Sequence, residues 1–185
     1  MRRIWIASVV MIGVVGSGSL ATMAQEEHGH GSTPTAASTY AGGYDPTKAI
    51  RSLTPEEIGQ IERGEGAGFA LPAELNGVPG PRHVLDLAAE LNLSSAQIAR
   101  VQAVYDEMRA VVIPAGRHYL DALQGLEEDF RSGGLTEATL RTGMAEVKRL
   151  EGELTVAHLS AHLRTAELLT PDQIAAYNRL REYDA

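Results

Sequence analysis

The chain contains no cysteine and few aromatic residues, and both shortages narrow what it can be. Without cysteine it forms no disulfide, offers no thiol nucleophile, and lacks the cysteine that anchors a bacterial lipoprotein. Aromatic residues make up 5% of the 185 residues, whereas alanine and leucine are plentiful. This composition favours helices over a β-sheet, and the length suits one domain.

Basic residues are also scarce, with 16 Lys and Arg against 24 Asp and Glu, which gives a net charge of −8. Nucleic-acid binding depends on neutralising phosphates with basic side chains, so we expect no nucleic-acid partner. An acidic surface suits cations and basic or partly unfolded proteins, although it also simply keeps a protein soluble.

The N-terminal residues have the pattern of a secretory signal peptide. Arg2 and Arg3 precede an apolar run over residues 4–15, and small residues follow up to Ala24. We therefore expect residues 1–24 to be a signal peptide cleaved after Ala24, and the protein to be periplasmic. The apolar run is short for a membrane span, and an uncleaved anchor is the alternative.

Residues 25–50 are rich in Gly, Ser, Thr and Ala without an apolar period, which predicts a flexible leader. Within it, His28 and His30 could bind copper, nickel or zinc weakly, or belong to a solvated tail without a ligand. Residues 51–80 are predicted to form a short helix, over 53–65, and a Gly/Pro-rich connector. Residues 81–185 are predicted to form a helical domain that starts with a helix over 82–91.

Two long amphipathic segments predict an antiparallel helical hairpin. Residues 95–131 and 136–167 are predicted helices, and a glycine turn at 132–134 joins them. In both, apolar residues recur every three or four positions, as in packed helices. Pro114 should kink the first helix or split it locally. The fold class is therefore all-α: a long, Pro-kinked hairpin with shorter flanking helices. The apolar positions of the first seam are Ile98, Val101, Tyr105, Met108, Val112, Ala115, Tyr119, Ala122 and Leu126; those of the second are Leu140, Gly143, Val147, Leu150, Leu154, Ala157 and Ala161.

Two histidines one helical turn apart, His158 and His162, form a candidate metal site. Folding the hairpin at the glycine turn brings Glu107 level with His158, and His83 could add a ligand from the preceding helix. Two or three imidazoles with one carboxylate suit zinc, nickel, cobalt or copper. The alternative is that His158 is a partly buried histidine satisfied by Glu107 or Glu151, and that His162 is solvated.

No catalytic motif accompanies these histidines, and we expect the protein not to be an enzyme. The histidine pair lacks the glutamate of a His-Glu-x-x-His protease, and there is no Gly-x-Ser-x-Gly segment. His118 lies far along the hairpin from the pair, and we interpret it as a structural or surface residue.

The sequence repeats one helix-start signal three times, beginning at Leu53, Leu93 and Leu169. A leucine precedes an N-cap Thr or Ser, and Glu or Gln follows three residues later, as in a capping box. Together with the hairpin and the signal peptide, these repeats resemble the Spy/CpxP superfamily of periplasmic proteins, which is marked by its LTxxQ motif. The motif residues matched here are Leu93, Gln97, Leu169, Thr170 and Gln173.

The resemblance implies a cradle of four to five helices that forms a homodimer and acts as an ATP-independent stress chaperone or adaptor. Its partners would be unfolded or stressed periplasmic proteins. A second branch, similar to ZraP and CnrX, senses heavy metals and works beside a membrane signalling partner. In that branch His158 matches one ligand and His162 stands in place of a methionine. His83 lies near one of two upstream histidines, and the glutamate falls near Asp106 or Glu107.

Overall fold

The computed structural model describes residues 47–183, which form six α-helices. No β-strand occurs in this part of the chain, so the prediction of an all-α fold with a long hairpin is confirmed. None of the helices within residues 47–183 is both long and apolar enough to cross a bilayer. The helices are α1 (Pro55–Glu62), α2 (Leu71–Glu74), α3 (Pro81–Asp86), α4 (Ser95–Ser132), α5 (Glu137–Ala166) and α6 (Pro171–Leu180).

The two long helices, α4 and α5, pack against each other as the predicted hairpin. Gly133 ends α4 in a left-handed conformation with φ of 71°, which a glycine adopts without steric cost. Helix α4 is continuous through Pro114, so the predicted local split does not occur. Pro114 and Ala110, whose carbonyl loses its helical partner there, both lie on the exposed side of α4, where water can satisfy that carbonyl.

The apolar core consists of two clusters on the covered face of the hairpin. The larger one joins α1 to α4 and α5 through residues such as Ile61, Val112 and Leu154. It includes Ile50, the last residue of the predicted leader. The smaller cluster joins α3, α4 and α6 and contains the fully buried Tyr177.

Each of the three predicted start signals begins a helix with a complete capping box. The N-cap residues are Thr54 for α1, Ser94 for α4 and Thr170 for α6. In each case the N-cap hydroxyl accepts a bond from the backbone three residues on, and that residue's side chain accepts one from the N-cap backbone. These starts were predictable because each capping box joins residues three positions apart.

The starts of α4 and α6 are also tied to each other by Gln97 and Gln173. The Gln97 side-chain nitrogen donates to the Gln173 side-chain oxygen at 2.8 Å and to the Leu168 carbonyl at 3.0 Å. The Gln173 nitrogen donates to the Leu91 carbonyl at 3.3 Å. Each glutamine oxygen thus accepts the bond from its own helix start, each nitrogen donates to the neighbouring segment, and the Gln173 oxygen also accepts from Gln97. A glutamate could accept but not donate, so only an amide makes both kinds of bond.

Candidate functional site

Both histidines of the predicted pair are buried, because the segment before α3 covers them. His158 is 3% exposed and His162 is 5% exposed. They line a cavity of about 90 Å³ together with His83 and with residues of the connector between α1 and α3. The expectation that His162 is solvated was wrong, since an irregular segment without helical periodicity covers it.

His162 anchors this covering segment to α5. Its Nδ1 lies 2.8 Å from the carbonyl oxygen of Val78. A carbonyl oxygen can only accept, so Nδ1 is the donor in this hydrogen bond. Gly80 packs against the same ring: a Cβ there would lie 2.6 Å from Cε1 and 2.7 Å from Nε2. Only glycine allows the backbone to approach the imidazole this closely.

His158 is held by an aromatic contact. Its ring stacks on Phe69 with a centroid distance of 6.0 Å and an interplanar angle of 16°. Burial, and to a smaller extent the charge of His162, lower the pKa of His158 from 6.5 to about 4. The imidazole is therefore neutral at pH 7.

The carboxylates expected to satisfy His158 bind other residues. Glu107 forms an ion pair with Arg164 at 2.6 Å, and Glu151 pairs with Lys148. The predicted level of Glu107 along the hairpin is right, since it borders the same stretch of α5, but its side chain lies on another face. Two residues can lie at the same level of two antiparallel helices while their side chains project in different directions.

Three of the predicted metal ligands, His83, His158 and His162, thus line one cavity, and Glu107 does not. Within residues 47–183, no three His, Cys, Asp or Glu side chains are close enough together to hold a metal ion. Burial, followed by the charge of Arg181, lowers the pKa of His83, which favours its neutral, metal-binding form. His28 and His30 lie outside the described residues.

A second concave surface, which we call the apolar groove, lies between α4 and α5. It has a volume of about 730 Å³ and is far larger than the histidine cavity. Val111, which is 55% exposed, and Val156, which is 65% exposed, flank it. The sequence did not reveal this surface, because both valines lie outside the predicted seams. Its lining residues are Glu107, Met108, Val111, Ala115, Arg149, Gly152, Glu153, Val156, Ala157, Ser160, Ala161 and Arg164.

Comparisons of the chain with models of protein families, with curated proteins and with solved structures found no match. The resemblance to the Spy/CpxP superfamily therefore rests on the sequence motifs alone.

Proposed function

We propose that this protein is a periplasmic, helical stress-response protein that binds apolar segments of unfolding proteins as an ATP-independent chaperone or adaptor. The apolar groove is the observation that carries this proposal. Apolar surfaces that are rimmed by polar residues often mark sites for another protein. The predicted signal peptide and the motif resemblance support the compartment and the protein class.

The groove favours apolar contact over charge recognition. Burying a fully exposed valine contributes about 1.5 kcal/mol or more, and Val111 and Val156 are each a little over half exposed, so together they offer about 2 kcal/mol. The net charge of −8 keeps the protein itself soluble while it holds an insoluble partner.

Aggregation of a reduced or heated test protein, followed by light scattering without ATP, tests this function. We expect substoichiometric protein to suppress scattering, and the double variant Val111→Ser/Val156→Ser to lose most of the effect. Leu75→Ser is the matched control, because Leu75 is 69% exposed and does not line the groove. Absence of suppression by the parent protein would refute the chaperone function.

A second candidate function is a periplasmic buffer or sensor of zinc, nickel, cobalt or copper. The cavity that His83, His158 and His162 line together favours it. A metal-binding histidine commonly donates its other N–H to a carbonyl, as His162 does to Val78.

Calorimetric titration with zinc, nickel and copper tests the metal function. We expect the His158→Ala/His162→Ala variant to lose binding, and a His118→Ala control, altered at an exposed histidine of α4, to keep it. Binding that is absent in the parent or unchanged in the double variant would contradict it.

A further inference from the structure

The dimensions of the apolar groove define what it can hold. On α5 its lining runs from Arg149 to Arg164, which at 1.5 Å per residue is about 22 Å. On α4 it runs from Glu107 to Ala115, about 12 Å. These lengths correspond to roughly two to four turns of an α-helix.

Several lining residues of the groove on α5 are small and leave the backbone accessible. Gly152 has no heavy atom within 4 Å of the position a Cβ would take, and Ala157 and Ser160 lie further along α5. Small side chains let an incoming helix approach to the short interaxial distance of packed helices, about 8 Å. An incoming helix would then lie beside α4 and α5 and complete a layer of three.

The charged residues at the rim are already paired. Glu107 binds Arg164 across the groove at 2.6 Å, and Arg149 pairs with Glu153 along α5. The rim therefore adds no net charge that would select a charged ligand. Recognition must come from apolar side chains repeated on one face of the partner.

The area of the groove is too small for a stable dimer of this chain. A strip about 22 Å long and one helix diameter wide, about 10 Å, covers on the order of 200 Å² per partner. A standard protein interface buries about 800 Å² per partner. Two copies would also repel each other through their net charge of −8.

We infer that the apolar groove binds one amphipathic helical segment of another polypeptide, two to four turns long, through apolar residues at i, i+3 or i+4, and i+7. This inference rests on the proposed function and specifies its partner. Binding is transient and weakly dependent on salt, because apolar area carries it.

Fluorescence anisotropy with a labelled 15-residue amphipathic peptide tests the inference, since two glycines provide matched variants. Gly152 lies in the groove and Gly125 lies on α4 outside it, and at both positions a Cβ meets no atom within 4 Å. We expect Gly152→Trp to weaken peptide binding at least tenfold, Gly152→Leu to weaken it less, and Gly125→Trp to leave it unchanged. A peptide of the same composition without helical periodicity should bind at least tenfold more weakly.

The inference would be overturned by equal binding of the periodic and the non-periodic peptide, or by unchanged binding to Gly152→Trp. A dimer in sedimentation that Gly152→Trp dissociates would also overturn it, because the groove would then bind a second copy. Circular dichroism of each variant verifies its fold. Suppression of aggregation without peptide binding would refute the helical partner and leave the chaperone function intact. Peptide binding without suppression of aggregation would refute the chaperone function and leave the helical partner intact.

Discussion

Acidification should destabilise the protein through His158, and the structure gives the size of the effect. The pKa of His158 falls from 6.5 in the unfolded chain to about 4 in the folded protein, because its ring is buried against Phe69. Between pH 6.5 and pH 4 the unfolded chain therefore binds more protons than the folded protein. The full stability contribution is present above pH 6.5 and is lost progressively below it.

The linkage relation gives the expected loss. A shift of one pKa unit corresponds to 1.36 kcal/mol, so the His158 contribution falls by about 2 kcal/mol at pH 5 and about 3 kcal/mol at pH 4. The pKa of His83 is lowered as well, and its protonation adds to the loss in the same direction. Glu65, Glu74 and Arg82 also line the cavity, so only a comparison of variants isolates the histidine.

Urea denaturation between pH 7.5 and pH 5, in the presence of a chelator, measures this effect. His158→Phe keeps an aromatic ring beside Phe69 and cannot be protonated, so its stability should fall by about 2 kcal/mol less than that of the parent. His118→Gln, at an exposed position, should follow the parent. The same pH dependence in the parent and in His158→Phe would refute the reasoning.

Two further predictions concern close contacts described above. Gln97→Glu keeps the cap acceptor of α4 but loses the donor to Leu168 and Gln173, and should lower the free energy of unfolding by about 1–3 kcal/mol in urea denaturation. The reverse change in α1, Glu57→Gln, should cost less than about 0.5 kcal/mol, and equal costs would contradict the role of the donor. Gly80→Ala places a Cβ 2.6 Å from the His162 ring and should lower the free energy of unfolding by about 1–3 kcal/mol. A Gly66→Ala control, whose Cβ would have no atom within 4 Å, should lower it far less in the same thermal or urea assay.

Much of the fold could be predicted because its signals are local or periodic. The capping boxes at Thr54, Ser94 and Thr170 depend on residues three positions apart, and the seams of α4 and α5 repeat every three or four. Helix α2 and the early end of α3 at Asp86 were not predicted, because their short segments have too few residues to show a period.

The candidate site was only partly predictable, because burial there depends on irregular backbone. Nothing in the spacing of His158 and His162 indicates that the Val78 carbonyl would bind one ring and that Phe69 would stack on the other. The prediction located Glu107 at the right height along the hairpin and could not tell that Arg164 would bind it. Contacts that join distant segments determine which of these side chains meet.

The paired glutamines have a consequence for the order in which the protein assembles. Gln97 and Gln173 are 76 positions apart, and each amide completes its hydrogen bonds only with the other segment present. The bond between the two amides therefore cannot form until α6 has been synthesised. A chain truncated before α6 would keep its hairpin but expose Val101 and leave the Gln97 amide without its partner on α6. Helix α6 thus completes contacts of a helix that begins 76 positions earlier along the chain.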